Sequence, residues 1–483
     1  MPSMPSNKYF VALLSLLLAI SALAPAQSLE ILVNQPPRGA GLSFLLTDGT
    51  VLSQGGNYHD WYKLTPDAFG SYVNGTWTQA ASLPAGYVPY AFSSAVLANG
   101  HVAIVGGEYN NNNFVLTNKG AIYDPTKNTW TALGHPAGWG YIGDSPSVVL
   151  RNGLFLVGRK LDKRMAVLNP ATLKWTEVGS AGKSDFNAEE GWTLLPDGTV
   201  LTADVKNVPN SERYTPSTGT WVTQGSTIVD LAAPSTSGPI PYPGGTYYPP
   251  GEIGPAILRP DGSVFATGAA NTGSGHTAVY HPGATSSDPG TWTVGPDFPN
   301  DAAGDSSAAL LTNGNVLVIG NSGTLYEFDG TNLTPEMRTR FAAYLMVLPT
   351  GQVILTGGRI QVYNSTGTYL PAWAPAIANY PATVVRGSTY RIFGTQFNGL
   401  SQAAAFGDEF QTATNYPLVR LTNAGTGHVF YARTHGHSTM GVATGSAIVS
   451  TSFDVPATME TGASWLEVVA NGIQSPAVSV TVN

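Results

Sequence analysis

The chain has 483 residues, of which only 11% are charged, and it contains 56 glycines, 35 prolines and no cysteine. Its formal net charge of -8 argues against nucleic acid or an anionic membrane surface as the main partner. The lack of cysteine excludes disulfides and zinc-thiolate sites, and the abundance of glycine and proline indicates turn-rich β structure.

The first 26 residues have the pattern of an export signal. Lys8 precedes an apolar run at 10–20, and Ala24-Pro25-Ala26 has the small-x-small form of a cleavage site. The apolar run is too short to span a bilayer as a helix. The sequence therefore predicts a mature chain that begins near Gln27, is secreted or extracytoplasmic, and has no membrane contact after cleavage. An uncleaved N-terminal anchor is the alternative.

Seven short hairpins recur between residues 27 and 372. In the clearest copy, Val96-Leu97-Ala98 and Val102-Ala103-Ile104-Val105 flank an Asn99-Gly100 turn, which supplies the positive φ of a tight hairpin. The seven hairpin glycines are Gly49, Gly100, Gly153, Gly198, Gly262, Gly314 and Gly351. They lie 51, 53, 45, 64, 52 and 37 residues apart, close to the roughly 50-residue period of kelch repeats.

An outer-strand aromatic residue recurs in step with the hairpins. It is Trp77, Trp130, Trp175, Trp221 or Trp292, with Leu333 and Tyr369 in the last two copies. Since one such sheet cannot bury both faces, the copies must stack. We predict an all-β fold in which 27–372 form a seven-bladed kelch-type β-propeller. The strand at 29–33 is expected to complete the last blade and close the ring.

The repeat stops before residue 373. From 373 to 483, short alternating strands such as 389–393, 429–432 and 465–469 are separated by Gly, Asn and Pro turns. About a hundred residues of this pattern fit an immunoglobulin-like β-sandwich.

This order of domains, together with Phe453-Asp454-Val455-Pro456 and the segment 465–472, resembles the galactose oxidase and glyoxal oxidase family of copper radical oxidases. The resemblance implies a copper site built from a cysteine cross-linked to a tyrosine, a Tyr-His pair, and a histidine from the C-terminal domain. It also implies that the aromatic residue shielding the cofactor corresponds to Tyr109.

Most of the implied ligands are missing from this sequence. The cysteine position is Ala40, the tyrosine position is Ala91 beside Tyr90, and the Tyr-His pair falls on Phe341-Ala342. The C-terminal histidine would be His435. Copper is therefore not expected, and neither is copper radical oxidase activity.

The same position, nine residues before the hairpin glycine, is acidic in the other blades. There it holds Asp144, Glu189 and Asp305, and Glu252 when one extra residue is allowed. Repeat symmetry predicts that these four carboxylates face one another at the channel mouth. They would bind a divalent cation or a polyhydroxylated or cationic ligand, act as paired acid and base, or only satisfy loop N–H groups and channel water.

Two further candidates are weaker. His59, Asp60 and Trp61 form a predicted loop whose flat aromatic ring suits a sugar face; the alternative is packing inside the propeller. His435 and His437 alternate on an extended segment, so their rings point to one side and could share a metal, although such histidines also commonly pack or hydrogen-bond.

These patterns favour a secreted, non-catalytic binding protein that engages a carbohydrate or a cation-assisted ligand, or an extracellular protein, at the channel mouth. No cofactor is firmly predicted beyond the possible divalent cation. An oxidase-like metalloenzyme with a rebuilt site and a structural or protein-interaction module are the alternatives, since a fold does not decide function.

Overall fold

The computed structural model describes residues 27–242, 244–285, 288–339 and 343–483. The predicted export signal at 1–26 lies outside these residues. The described chain contains 45 β-strands and a single 3-10 helix, Pro371–Trp373, so the predicted all-β class is confirmed. In this part of the chain, no helix is long and apolar enough to cross a membrane.

Each of the seven predicted hairpins lies in its own antiparallel sheet with a four-stranded repeat unit. The first four sheets contain Ser43–Leu45, Val51–Gln54, Trp61–Thr65 and Thr76–Gln79; Ser93–Val96, Val102–Val105, Gly120–Asp124 and Thr129–Leu133; Ser147–Val149, Phe155–Gly158, Met165–Asn169 and Lys174–Val178; Thr193–Leu194, Val200–Ala203, Asn210–Thr215 and Thr220–Ser226. The last three contain Ala256–Leu258, Val264–Thr267, Thr277–His281 and Thr291–Val294; Ser307–Leu310, Val316–Ile319, Thr324–Phe328 and Leu333–Arg338; Tyr344–Val347, Val353–Thr356, Gln361–Asn364 and Ser28–Ile31.

The last strand named here comes from the start of the described chain. Ser28–Ile31 pairs antiparallel with Gln361–Asn364, which confirms the predicted pairing of the N-terminal segment with the last sheet. All seven hairpin glycines have φ between +76° and +88°. This left-handed region is open to glycine without a steric penalty, which explains why glycine recurs at each turn.

Aromatic residues fill the space between neighbouring sheets. A tyrosine on the third strand contacts a tryptophan on the fourth in three sheets, with ring centroids 5.1–5.2 Å apart: Tyr123 with Trp130, Tyr214 with Trp221 and Tyr280 with Trp292. Trp130 also lies 4.8 Å from Trp61 of the preceding sheet. In these three sheets the recurring tryptophan is therefore buried against neighbouring rings.

Several short strands form small sheets of their own, outside the seven repeat sheets. They are Pro89–Tyr90, Tyr109–Asn110 and Asn113–Phe114; Ala233–Pro234 with Gly251–Glu252; and Ile240–Tyr242 with Gly245–Tyr247. They come from segments that join the sheets or connect strands within one of them, and Tyr90, Tyr109 and Glu252 from these strands line the cavity described below.

The strands of the C-terminal region pair mostly antiparallel, and Thr383–Val384 pairs in parallel with Val478–Val482. Its strands are Ala376–Asn379, Thr383–Val384, Thr389–Thr395, Leu418–Asn423, Val429–His435, Val449–Asp454, Gly462–Ala470, Ile473–Gln474 and Val478–Val482. Val429–His435 pairs with Leu418–Asn423 along its first part and with Val449–Asp454 along its last three residues. One strand therefore joins the two halves of this region.

A segment of the C-terminal region returns to the repeat sheets. Strand Ala404–Phe406 pairs antiparallel with Ser307–Leu310 of the sixth sheet. Five residues later, the Ser94 hydroxyl of the second sheet donates a hydrogen bond to the Gln411 carbonyl over 3.0 Å. We call residues 404–411 the inserted loop. It carries residues from beyond position 372 into the region predicted to contain only the propeller.

Candidate functional site

A cavity of about 270 Å³ lies where the first strands of several sheets begin. We call it the acidic cavity because seven carboxylates line it: Glu108, Asp144, Glu189, Glu252, Asp305, Asp408 and Glu409. All four acids predicted from repeat symmetry line the cavity, and so does Tyr109. Ala91, which occupies the tyrosine position of the implied copper site, also lines it. Phe341 and Ala342, which occupy the positions of the Tyr-His pair, lie outside the described residues.

Equivalent positions in different sheets share an unusual backbone conformation. Ala91, Glu189 and Asp305 have φ values of 51°, 59° and 48°. Residues other than glycine seldom adopt positive φ, and those that do cluster at binding and active sites. These three positions therefore share one backbone geometry at the cavity, whereas Asp144 and Glu252 line it without a positive φ.

One buried lysine neutralises part of the acidic cavity. Lys160 is 0% exposed, and its ammonium donates hydrogen bonds to Asp144 and, over 2.5 Å, to Glu189 Oε1. The Glu108 carboxylate is 3.7 Å away. Burial disfavours the charged form, but the Asp144 and Glu189 carboxylates outweigh it and hold the Lys160 pKa well above its ordinary value.

A tyrosine caps this ion-pair cluster. The Lys160 ammonium lies 5.0 Å from the centre of the Tyr247 ring, within the range of a cation–π contact. The Tyr247 hydroxyl donates a hydrogen bond of 2.5 Å to Glu189 Oε1. Lys160 is therefore held by carboxylates on one side and by an aromatic face on another.

The remaining carboxylates lack an equivalent cation. Oxygens of Asp305, Asp408 and Glu409 lie within 4.8 Å of one another. Oδ1 of Asp144 and Oδ1 of Asp408 are buried without a hydrogen-bond partner among the described residues. Unpartnered buried polar atoms are costly, so each of these two oxygens has unused hydrogen-bonding capacity.

Crowding of the acids changes their proton affinity. Burial, reinforced by the Glu189 and Asp305 carboxylates, raises the pKa of Glu252 to about 10. Burial also raises the pKa of Glu409 well above its ordinary range, with Asp305 and Asp144 adding to the shift. Burial and crowding therefore favour the protonated forms of Glu252 and Glu409 when no cation is bound.

Asp305 provides a pH-dependent prediction. Surrounding protein atoms and the Glu189 carboxylate raise its pKa to about 6, against the opposing effect of Lys160; Glu252, Asp408 and Glu409 face the same cavity. Because the folded state binds this proton more tightly than the unfolded chain, the stability that it contributes declines as pH rises from about 4 to about 6. We expect the melting temperature of Asp305→Asn minus that of the wild type to increase across this window. A constant difference between the two melting temperatures would contradict the assignment.

The structure adds cavity residues that the sequence did not reveal. Asp408 and Glu409 lie in the inserted loop, and no repeat pattern predicts that this loop reaches the cavity. Glu108 and Lys160 follow the second strands of their sheets rather than preceding the first. A comparison of the few residues that follow Val102–Val105, Phe155–Gly158 and the other second strands could have revealed both.

The predicted metal-binding role of His435 and His437 is not supported. The His435 Nε2 atom lies 3.1 Å from Asp454, and His437 Nδ1 lies 2.9 Å from the Thr451 hydroxyl. Neither histidine belongs to a group of three converging metal ligands in the described chain. Burial lowers the pKa of His437 to about 3, with His435 adding to the shift.

The structure places His435 away from the acidic cavity. Gly436 N–H donates to the Ala98 carbonyl over 3.0 Å, and Arg433 donates to the Asn99 carbonyl over 2.8 Å. These contacts are at the hairpin turn that ends strand Ser93–Val96, whereas the acidic cavity lies near Ala91, where the strand begins. The inserted loop, not the histidine segment, connects the C-terminal region to the cavity.

The prediction that Trp61 lies on a sugar-binding loop is wrong. Trp61 begins strand Trp61–Thr65 and is 0% exposed, because its ring packs between Trp130 and Phe44. It cannot stack on a sugar. His59 and Asp60 form a 3.1 Å contact with each other near the surface, and neither lines the acidic cavity.

The donor set does not fit the copper site implied by the resemblance. The chain has no cysteine, and none of the described cavity-lining residues is a histidine. Imidazole and thiolate groups suit copper, whereas carboxylate oxygens suit harder cations. The residues of this cavity therefore match a different kind of cation.

Comparisons with known proteins agree with the fold. No protein-family profile matches the chain. The Kelch-like protein terF of Aspergillus terreus is 27% identical over 129 residues, which are 26% of this chain and 26% of that protein. The chain thus matches about a quarter of the length of this curated relative.

Two solved structures are similar across most of their length. A fungal alcohol oxidase of the AA5 family, solved in complex with copper, covers 95% of this chain and is itself covered to 99%, with a TM-score of 0.53 at 13% identity. Virginiamycin B lyase from Staphylococcus aureus covers 70% of this chain and is covered to 99%, with a TM-score of 0.47 at 13% identity. The predicted resemblance is confirmed: the chain resembles kelch proteins and has the fold of galactose oxidase-like enzymes.

Proposed function

We propose that this chain is a secreted, non-catalytic binding protein that captures a positively charged ligand in the acidic cavity. In this proposal, the seven repeat sheets are the blades of a closed propeller and the C-terminal strands form an immunoglobulin-like sandwich. The observation that carries the proposal is the surplus of carboxylates over cations. Seven acids line the cavity, one buried lysine contacts three of them, and two buried carboxylate oxygens have no described partner.

A bound cation would relieve this surplus. Carboxylates that approach one another repel when both are charged, so either protons or a cation must compensate them. A ligand that replaces the protons gains the attraction of several carboxylates in a partly desolvated site. Its binding is therefore expected to strengthen as pH rises through the pKa of Asp305, about 6.

Thermal melts in salts of matched ionic strength test the proposal. We expect calcium, manganese or an alkylammonium ion to raise the melting temperature, because a ligand that binds only the folded state stabilises it. Asp305→Asn combined with Asp408→Asn should remove the increase, while Asp230→Asn, at an exposed position, should retain it. If none of these cations raises the melting temperature of the wild type, the proposal is wrong.

A carbohydrate is the second candidate ligand. The rings of Tyr90 and Tyr109 line the cavity beside its carboxylates, and this pairing suits a sugar with its apolar face and its hydroxyls. Titration with galactose at constant salt separates the two candidates. Heat of binding from galactose in the absence of any added cation would favour the carbohydrate.

A further inference from the structure

The lining of the acidic cavity also indicates the class of cation that it takes, on the basis of the cation capture proposed above. Lys160 shows how this protein holds an ammonium group. Its Nζ atom contacts Asp144 and Glu189 and lies 5.0 Å from the centre of the Tyr247 ring. The combination of carboxylates and an aromatic face is the usual environment of organic cations in proteins.

The other part of the acidic cavity repeats this combination without a lysine. Asp305, Asp408 and Glu409 converge there, and no basic side chain of the described chain forms a salt bridge with them. Asp408 is 2% exposed, and its Oδ1 atom has no hydrogen-bond partner among the described residues. A second positive charge can be bound at this position.

Aromatic rings form the wall beside these three acids. Tyr90, Tyr344 and Phe406 line the same cavity. Tyr344 lies 5.7 Å from Phe406 and 5.5 Å from Phe410, and Tyr90 lies 5.7 Å from Phe410, measured between ring centres. Such a wall offers apolar contact and cation–π attraction to an organic group.

We propose that the acidic cavity binds a small organic amine. Its ammonium group lies among Asp305, Asp408 and Glu409, and its apolar body packs against Tyr344, Tyr90 and Phe406. A metal ion of the calcium type needs six to eight oxygen ligands, including waters, and gains little from an aromatic wall. The volume of about 270 Å³ is slightly below the usual range for drug-sized ligands, which starts at about 300 Å³, and suits a single small amine.

Isothermal titration of the full mature chain tests this assignment with phenethylamine as the probe. Its neutral analogue of matched shape, 2-phenylethanol, controls for apolar contact, and calcium chloride provides the inorganic arm. We expect phenethylamine to bind the wild type at least roughly tenfold more tightly than 2-phenylethanol, because a charge-assisted hydrogen bond to a buried carboxylate is lost without the ammonium.

Variants locate the ammonium group. Asp408→Asn and, separately, Glu409→Gln should each weaken phenethylamine binding roughly tenfold or more, while Asp230→Asn should bind as the wild type does. Melting curves verify that each variant is folded, and two variants are used so that one unfolded protein does not decide the outcome.

The possible outcomes are distinguishable. Binding of calcium without binding of phenethylamine would overturn the amine assignment and leave cation capture intact. Binding of neither, together with the absence of any cation effect in the thermal melts, would overturn both. Equal affinity of phenethylamine for the wild type and both variants would overturn the placement of the ammonium among these acids.

Discussion

Replacing Lys160 with methionine is expected to lower the free energy of unfolding by about 3–5 kcal/mol, the usual cost of removing one partner of a buried ion pair. The Lys160 side chain is 0% exposed, and its ammonium compensates Asp144 and Glu189, which are also buried. Methionine fills similar space but leaves these carboxylates without a cation. The midpoint of urea unfolding, followed by tryptophan fluorescence, measures the effect.

A surface lysine provides the matched control. Lys127 is paired with Asp124 over 2.8 Å, but its side chain is 74% exposed, so Lys127→Met should cost less than about 1 kcal/mol. Adding Asp144→Asn and Glu189→Gln to Lys160→Met should recover part of the loss, because the uncompensated charges are removed. Equal stability of the Lys160 and Lys127 variants would show that the buried cluster does not depend on its cation.

Replacing Trp61 with alanine is expected to cost about 3–5 kcal/mol, as for other large aromatic side chains in cores. The residue is 0% exposed, and its ring lies 4.8 Å from that of Trp130 and 6.4 Å from that of Phe44. Thermal unfolding of the variant measures the loss. Ligand binding at the acidic cavity should persist below the melting temperature, because Trp61 does not line it.

Another tryptophan gives the comparison. Trp465 is 48% exposed on strand Gly462–Ala470, and Trp465→Ala should have a much smaller effect. A Trp61→Ala protein as stable as Trp465→Ala would restore the prediction of an exposed aromatic at position 61.

The seven hairpins and the four cavity acids Asp144, Glu189, Glu252 and Asp305 could be predicted because both depend on local repeats. A turn that needs positive φ selects glycine, and a fixed spacing before it places Asp144, Glu189 and Asp305 at equivalent backbone positions. Trp61 was misplaced because it directly follows a polar His-Asp pair, which favours a loop. Its burial depends on Trp130 of the next sheet, a contact that no local pattern contains.

The contribution of the C-terminal region to the acidic cavity could not be predicted for a related reason. The sequence around Asp408 and Glu409 belongs to no repeat, and its position is determined by pairing of Ala404–Phe406 with the sixth sheet. Such long-range pairing depends on how the two regions dock. The family resemblance identified His435 as the C-terminal histidine but did not indicate where this residue lies relative to the cavity.

The inserted loop also has a consequence for how the protein matures. Because Asp408 and Glu409 come from beyond the repeats, a chain emerging from the ribosome or from an export channel has no complete pocket until its final quarter has folded back. Ligand binding and docking of that final quarter are then thermodynamically coupled. A bound amine would therefore stabilise the contact between the two regions.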